Sequence, residues 1–275
     1  MSNEVVVGVE GTVSSEGAVS WGAEAAAARG AELLLVHALG DVEWDDALAD
    51  AARDVLDRAA AHAREVSPSV KIRTEVEADR PARCLVRRSG SARLLVVGTR
   101  RLTPAQRVFS GSRSYEIAAA ASCSVAVVPA VPVEADNRVV VGVDGSPDSV
   151  AAVAAGAQEA ERHGAVLQVV HAWEEPALLL AQGYVPPDMT ARLRESEAAV
   201  LAHATAGLAD RFPDLEVERT LVKAQPATAL LAAGSHARLV VVGSRGLHGV
   251  SRLLVGSTSH AVILHARRPV LVVRA

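Results

Sequence analysis

The sequence predicts an α/β protein of two doubly wound domains, each a five-stranded, mainly parallel sheet flanked by about four helices. Three observations carry this. The chain repeats itself: VVVGVEG at 5–11 returns as VVVGVDG at 139–145, and LLLVHAL at 33–39 returns as LQVVHAW at 167–173, both at an offset of 134. Its strand-like runs are unbroken stretches of Val and Leu, as expected where both faces of a sheet are buried. Those runs alternate with segments of helical length, the pattern of a parallel sheet with crossover helices.

The repeat continues at a new offset. ARLLVVGTR at 92–100 matches ARLVVVGSR at 237–245, Gly111-Ser112 matches Gly256-Ser257, and VAVVPA at 125–130 matches VLVVRA at 270–275, all 145 apart. The change from 134 to 145 places an 11-residue insertion in the second half, and ALLLAQGYVPPDM at 177–189 is where it fits. The domains are therefore 1–130 and 138–275, joined by the linker VPVEADN at 131–137.

The second half reads in order as follows. A strand at 138–143 passes through Asp144-Gly-Ser-Pro into a helix over 148–162. Gly164 follows as a C′ residue, with Gly30 at the same place in the first half. A strand at 166–172 precedes a helix over 188–210, which Pro213 bounds. A strand at 216–222, a helix at 226–235, a strand at 238–243, a glycine-rich loop, a helix at 257–267 and a strand at 269–274 complete the domain. The first half follows the same order.

Composition narrows the class. Half of the 275 residues are apolar but only 3% are aromatic, so the core is built from small and β-branched side chains. The net charge of −4 and the lack of a dense Lys/Arg tract give no footprint for nucleic acid. Cys84 and Cys123 fit no metal spacing and no secreted disulfide framework. The opening MSNEVVVGVEG lacks a basic region followed by an apolar one, and no apolar stretch reaches the ~18 residues that read as a membrane span. A soluble cytoplasmic protein is expected.

Ligands of open α/β sheets bind at the carboxyl ends of strands. Three segments stand there: Gly142-Val143-Asp144-Gly145, His171-Ala172-Trp173, and the loop VVVGSRGLHGVSRLLVGSTSH at 240–260. In that loop, glycines let backbone N–H groups turn toward one point, and Gly256-Ser257-Thr258 opens a helix whose free N–H groups favour an anion. The same residues also suit a tight turn with an ordinary serine cap. There is no Walker lysine and no G-x-G-x-x-G. What the residues do fit is G-x-x-G, nine residues, then G-[S/T]: Gly243, Gly246, Gly256, Ser257.

This pattern resembles the ATP-binding motif of the universal stress protein family. VVVGVDGS, VVHAW, ARLVVVGSRG and RRPVLVV agree with it, and the likeness covers both halves. The resemblance implies that Gly243, Gly246, Gly256 and Ser257 hold ribose and phosphates; by their own chemistry Ser257 and Thr258 can cap the helix or bond a phosphate oxygen, and Arg245 and Arg252 border the loop where they could screen phosphate charge. It also implies that Gly142, Val143 and Asp144 face the adenosine end and that Ala172 offers backbone contacts to adenine. Mg²⁺ is implied only as the partner of bound ATP, with no metal site in the protein itself. Asp144 has a second reading as a turn or cap residue, and Arg245 and Arg252 as solvated edges. His37 and His171 read as packed, hydrogen-bonded histidines, and Trp21, Trp44 and Trp173 as packing residues.

The first half departs from the pattern. Gly98, Gly111 and Ser112 keep the spacing, but Arg101 stands for the second glycine, Pro104 stiffens the loop and Glu10 replaces the aspartate. Gly8, Glu10, Ala38, Gly98, Gly111 and Ser112 therefore mark a weaker or degenerate site.

For the whole chain, the resemblance implies an ATP-binding, stress-response switch, since no catalytic set is evident in the sequence. Two other readings stay open: an adenylylating or slowly ATP-hydrolysing enzyme of related fold, and a scaffold in which nucleotide is incidental. The last strands, 125–128 and 270–273, are apolar edges that invite pairing. The resemblance implies that such strands pair domains, within the chain or between chains, and a homodimer with pseudo-twofold domain pairing is expected.

Overall fold

In a computed structural model, residues 2–41, 45–99, 113–130, 135–175, 187–246 and 256–275 are described. The chain divides into two units, Met1–Val133 and Glu134–Ala275.

In the first unit, β1 (Glu4–Gly8), β2 (Glu32–Ala38), β3 (Ile72–Glu77), β4 (Leu94–Thr99) and β5 (Ser124–Pro129) alternate with α1 (Val13–Ala28), α2 (Asp46–Val66), α3 (Pro81–Ser89) and α4 (Arg113–Ala120). The strand order is β3-β2-β1-β4-β5, and every pairing is parallel. Leu33, Leu34, Leu35 and Val36 are each at most 1% exposed. Burial of successive residues means that both faces of β2 are covered, which explains why the strand carries no polar alternation. Helix α2 buries Ala49, Ala52, Leu56, Ala60 and Ala63, a 3–4 residue repeat that keeps one stripe on the sheet. Asp45 starts it by accepting from Leu48 N–H at 2.7 Å.

The second unit repeats the plan with β6 (Arg138–Val143), α5 (Pro147–Arg162), β7 (Val166–Trp173), α6 (Pro187–Ala204), α7 (Leu208–Arg211), β8 (Val217–Lys223), α8 (Pro226–Ala233), β9 (Leu239–Gly243), α9 (Ser257–His265) and β10 (Val270–Val273). Its order is β10-β9-β6-β7-β8, again parallel throughout. Both sheets are thus doubly wound. The order reverses direction at β1 and β6, so the carboxyl ends of β1 and β4, and of β6 and β9, border the switch point.

The punctuation agrees with the sequence. Gly30 (φ +57°) and Gly164 (φ +55°) are left-handed residues just past α1 and α5. One element differs. The helix expected over 188–210 is broken: α6 ends at Ala204, Gly207 takes φ +74°, and α7 is one short turn. Thr205 Oγ1 bonds back to the Leu201 carbonyl at 3.0 Å and receives Arg219 Nε from β8 at 2.8 Å. That side chain holds the interruption in place. The 177–189 insertion lies largely outside the described residues.

Candidate functional site

At the carboxyl end of β6 the chain turns through Asp144 and Gly145, whose φ of +85° suits a residue without a side chain. Ser146 then caps α5, its Oγ accepting from Ser149 N–H at 3.2 Å, while Pro147 takes the first helical position. Asp144 orders this turn from within: its Oδ1 accepts from Ser146 N–H at 3.0 Å.

The exit of β9 is fastened to the start of α5. Asp148 Oδ2 accepts from Ser244 Oγ at 2.7 Å and from Arg245 N–H at 3.1 Å. Ser146 Oγ donates to the Arg245 carbonyl at 3.3 Å. Gly256 N–H returns to the Ser244 carbonyl at 3.0 Å, and Ser259 Oγ donates to the Gly243 carbonyl at 2.7 Å. Both ends of the loop are therefore anchored on the residues that follow β9. Residues 247–255, Arg252 among them, lie outside the described residues.

Three motif positions meet here. A Cβ on Gly246 would stand 2.5 Å from Asp144 Oδ2, and one on Gly256 would stand 3.5 Å from Gly246 N. Asp144, Gly246 and Gly256 thus converge. Helix α9 begins beside it. Gly256 is its N-cap and supplies no side-chain cap. The first helical bond runs from His260 N–H to the Gly256 carbonyl, so the amides of Ser257, Thr258 and Ser259 lie ahead of it. Burial, with the charge of His265 nearby, holds His260 of this helix below the ordinary imidazole range.

The other predicted positions divide. Gly142 lies on the strand, and a Cβ there would meet Leu230 Cδ1 at 2.6 Å. Gly243 lies against the backbone of Asp148 and Ser149. Both glycines make room for packing inside the unit. The amides of Arg245 and Gly256 are already bonded internally, as described above. Val143 is buried, and its carbonyl accepts from His171 Nδ1 at 2.7 Å. Ala172, the penultimate residue of β7, is in register with Val222. Beyond it, Trp173 is 8% exposed, with Lys223 Nζ 5.9 Å from its ring centre.

The sequence reading passed over Ser146, Asp148, Ser244 and Glu197. A Ser-Pro-Asp run after a strand marks a helix start, but nothing local says that its carboxylate ties down a loop from β9.

The profile of the Universal stress protein family matches residues 1–129 and 137–274. The chain belongs to the universal stress protein family. A universal stress protein of Mycobacterium tuberculosis H37Rv is 35% identical over 288 residues, covering 98% of this chain and 96% of its own. One of Mycolicibacterium smegmatis is 34% identical over 289 residues, with the same coverage. The solved universal stress protein of Archaeoglobus fulgidus DSM 4304 shares the fold at a TM-score of 0.72 and 19% identity, covering 100% of this chain and 99% of that one.

In the first unit of this universal stress protein, the corresponding residues are only partly described. Gly8 leaves room for Leu85, as Gly142 does for Leu230. Ser114 Oγ donates to the Gly98 carbonyl at 2.9 Å, matching Ser259 and Gly243. Ala38 pairs with Glu77. Glu10 carries Arg113 Nη1 at 3.3 Å, so a guanidinium from the first residue of α4 reaches the acid that stands for Asp144. Arg101, Pro104, Gly111 and Ser112 lie outside the described residues, as does Trp44.

A second cluster has the residue types of a hydrolase, with the acid at the outer edge of ion-pair range. Ser20 Oγ lies 2.7 Å from His62 Nε2, and His62 Nδ1 lies 4.0 Å from Glu65. Ser20, however, donates to the Glu16 carbonyl at 3.1 Å. The Glu16 carbonyl therefore competes with the imidazole for the single proton of this hydroxyl. Among the described residues, no group of three or more His, Cys, Asp or Glu side chains could hold a metal ion, and no helix is long and apolar enough to cross a membrane.

Proposed function

We propose that the second unit binds ATP at the junction of Asp144, Gly246 and the start of α9, and that the protein is a nucleotide-dependent stress-response regulator and not an enzyme. The convergence of Asp144, Gly246 and Gly256 carries this reading. An aspartate held against a glycine beside the start of α9 suits the edge of a ribose, whose hydroxyls can donate to a carboxylate. The amides at the start of α9, with the hydroxyls of Ser257 and Thr258, suit the phosphates. Mg²⁺ would arrive as counter-ion to the triphosphate. Family membership supports the same reading. The first unit is the weaker site in this proposal, because Glu10 is one methylene longer than aspartate and already carries Arg113. A cytoplasmic location and a homodimer formed through the last strands complete it.

Calorimetric titration of the nucleotide-stripped protein with ATP should give one site per chain. Replacing Gly246 with arginine, which copies position 101 of the first unit, should abolish binding without unfolding the chain. Two equal sites, or none, would overturn the reading. Mass in solution with and without ATP reports whether association follows the nucleotide.

A further inference from the structure

Helix α6 reaches the Asp144 turn in two ways, once through His171 and once beside Gly145. Glu197 Oε2 lies 2.6 Å from His171 Nε2, and His171 Nδ1 bonds the Val143 carbonyl, the last of β6. One turn along the same helix face, Val200 Cγ1 stands 3.2 Å from where a Cβ on Gly145 would lie. Val143 and Gly145 flank Asp144. The imidazole side chain is 6% exposed and the Glu197 side chain 29%. Nδ1 thus faces a carbonyl and Nε2 a carboxylate, so both ring nitrogens have a partner. In the first unit His37 bonds the Val9 carbonyl in the same way at 2.7 Å, so the histidine's hold on the first strand is common to both halves.

We infer that Glu197 and His171 are positioning residues through which α6 sets the Asp144 turn and, with it, the affinity of the nucleotide site. This rests on the ATP reading for its functional consequence, but not for its structural one. Removing the carboxylate strands one end of a buried imidazole, and the ring then loses its fixed orientation against Val143. Asp144 is the next residue, and its other oxygen faces Gly246. A shift at Val143 therefore reaches the point where the two loops meet.

Two variants of the full chain test this. Glu197→Met keeps the length of the side chain and removes the acceptor. Glu197→Gln keeps a hydrogen bond, because its amide can donate to a neutral ring whose Nδ1–H still bonds Val143. At a temperature where both are fully folded, Glu197→Met should weaken ATP binding by about tenfold and Glu197→Gln by less than about twofold. A role in stability alone would lower the melting temperature and leave the affinity of the folded protein unchanged. Amide hydrogen exchange at 144–146, measured without nucleotide, should quicken in Glu197→Met and recover in Glu197→Gln. Unchanged exchange in Glu197→Met, or a Gln variant as impaired as the Met one, overturns the inference. If the wild type binds no ATP, the nucleotide reading fails and the exchange result alone decides this one.

Discussion

Gly142 and Gly243 sit at the carboxyl ends of adjacent parallel strands, yet what crowds each differs. A Cβ at position 142 would meet the far end of the Leu230 side chain, which can turn aside. A Cβ at position 243 would meet the carbonyl carbon of Asp148 at 2.8 Å and its oxygen at 2.9 Å, atoms of a helix start that cannot move alone. Gly243→Ala should therefore destabilise the second unit by about 1–3 kcal/mol and Gly142→Ala by less, read as the shift in denaturation midpoint. Equal losses would mean that the start of α5 yields as easily as a leucine. The sequence showed that both positions are glycine at strand ends, which suggested ligand contact for both. It could not show what each glycine leaves room for, because Leu230 and Asp148 arrive from other elements. The same holds for Gly256, whose amide looked like an anion donor and is bonded to the Ser244 carbonyl.

Elements were legible where periodicity and punctuation agreed. The Val/Leu strands, the Gly30 and Gly164 ends and the Pro-led helices stand within a few residues of their expected places, because each is set by local chemistry. The break between α6 and α7 is the exception. Ala202, Ala204, Ala206 and Leu208 favour helix on both sides of it, so the pattern continues straight through. The interruption depends on Arg219, which reaches Thr205 from β8, and on Gly207 at φ +74°. Gly207→Ala should cost about 1–2 kcal/mol, and Gly207→Asn distinctly less, since asparagine tolerates the left-handed conformation. Thermal melts of the two variants give the comparison. If alanine were tolerated, the helix would be running on through position 207 and the break would be dispensable.

At the scale of the molecule, the repeat made the fold readable from one half to the other, and it also shows where the halves part. Around β3 and α3 the first unit carries a mesh of ion pairs. Asp79 accepts from Arg83 Nε at 2.5 Å, Arg87 Nη1 at 2.7 Å and Arg80 N–H at 2.7 Å. Glu77 is shared by Arg87 and Arg88, and Asp41 by Arg80 and Arg83. The matching positions in the second unit, 145 residues on, are Val222, Ala224, Thr228, Ala232 and Ala233 in place of Glu77, Asp79, Arg83, Arg87 and Arg88. Single surface pairs contribute little, but here each charge serves several partners. Partial desolvation pushes Asp79 up, yet the bonds from Arg87, Arg83 and the Arg80 amide outweigh it and leave the carboxyl below its ordinary range. An acid held low in the folded state adds stability in full above its unfolded value of about 3.9, and that stability drains away as pH falls through the folded value. Acid should therefore loosen β3–α3 before β8–α8, and about 1 M salt should act in the same direction at neutral pH. Pulse-labelled hydrogen exchange along an acid titration reads the two segments separately in the intact chain. Asp79→Asn should lower protection of β3–α3 at pH 7, and its difference from the wild type should narrow at a lower pH, where the folded wild-type carboxyl takes up its proton. A variant equally weakened at both pH values would mean that Asp79 acts through packing and not through its charge.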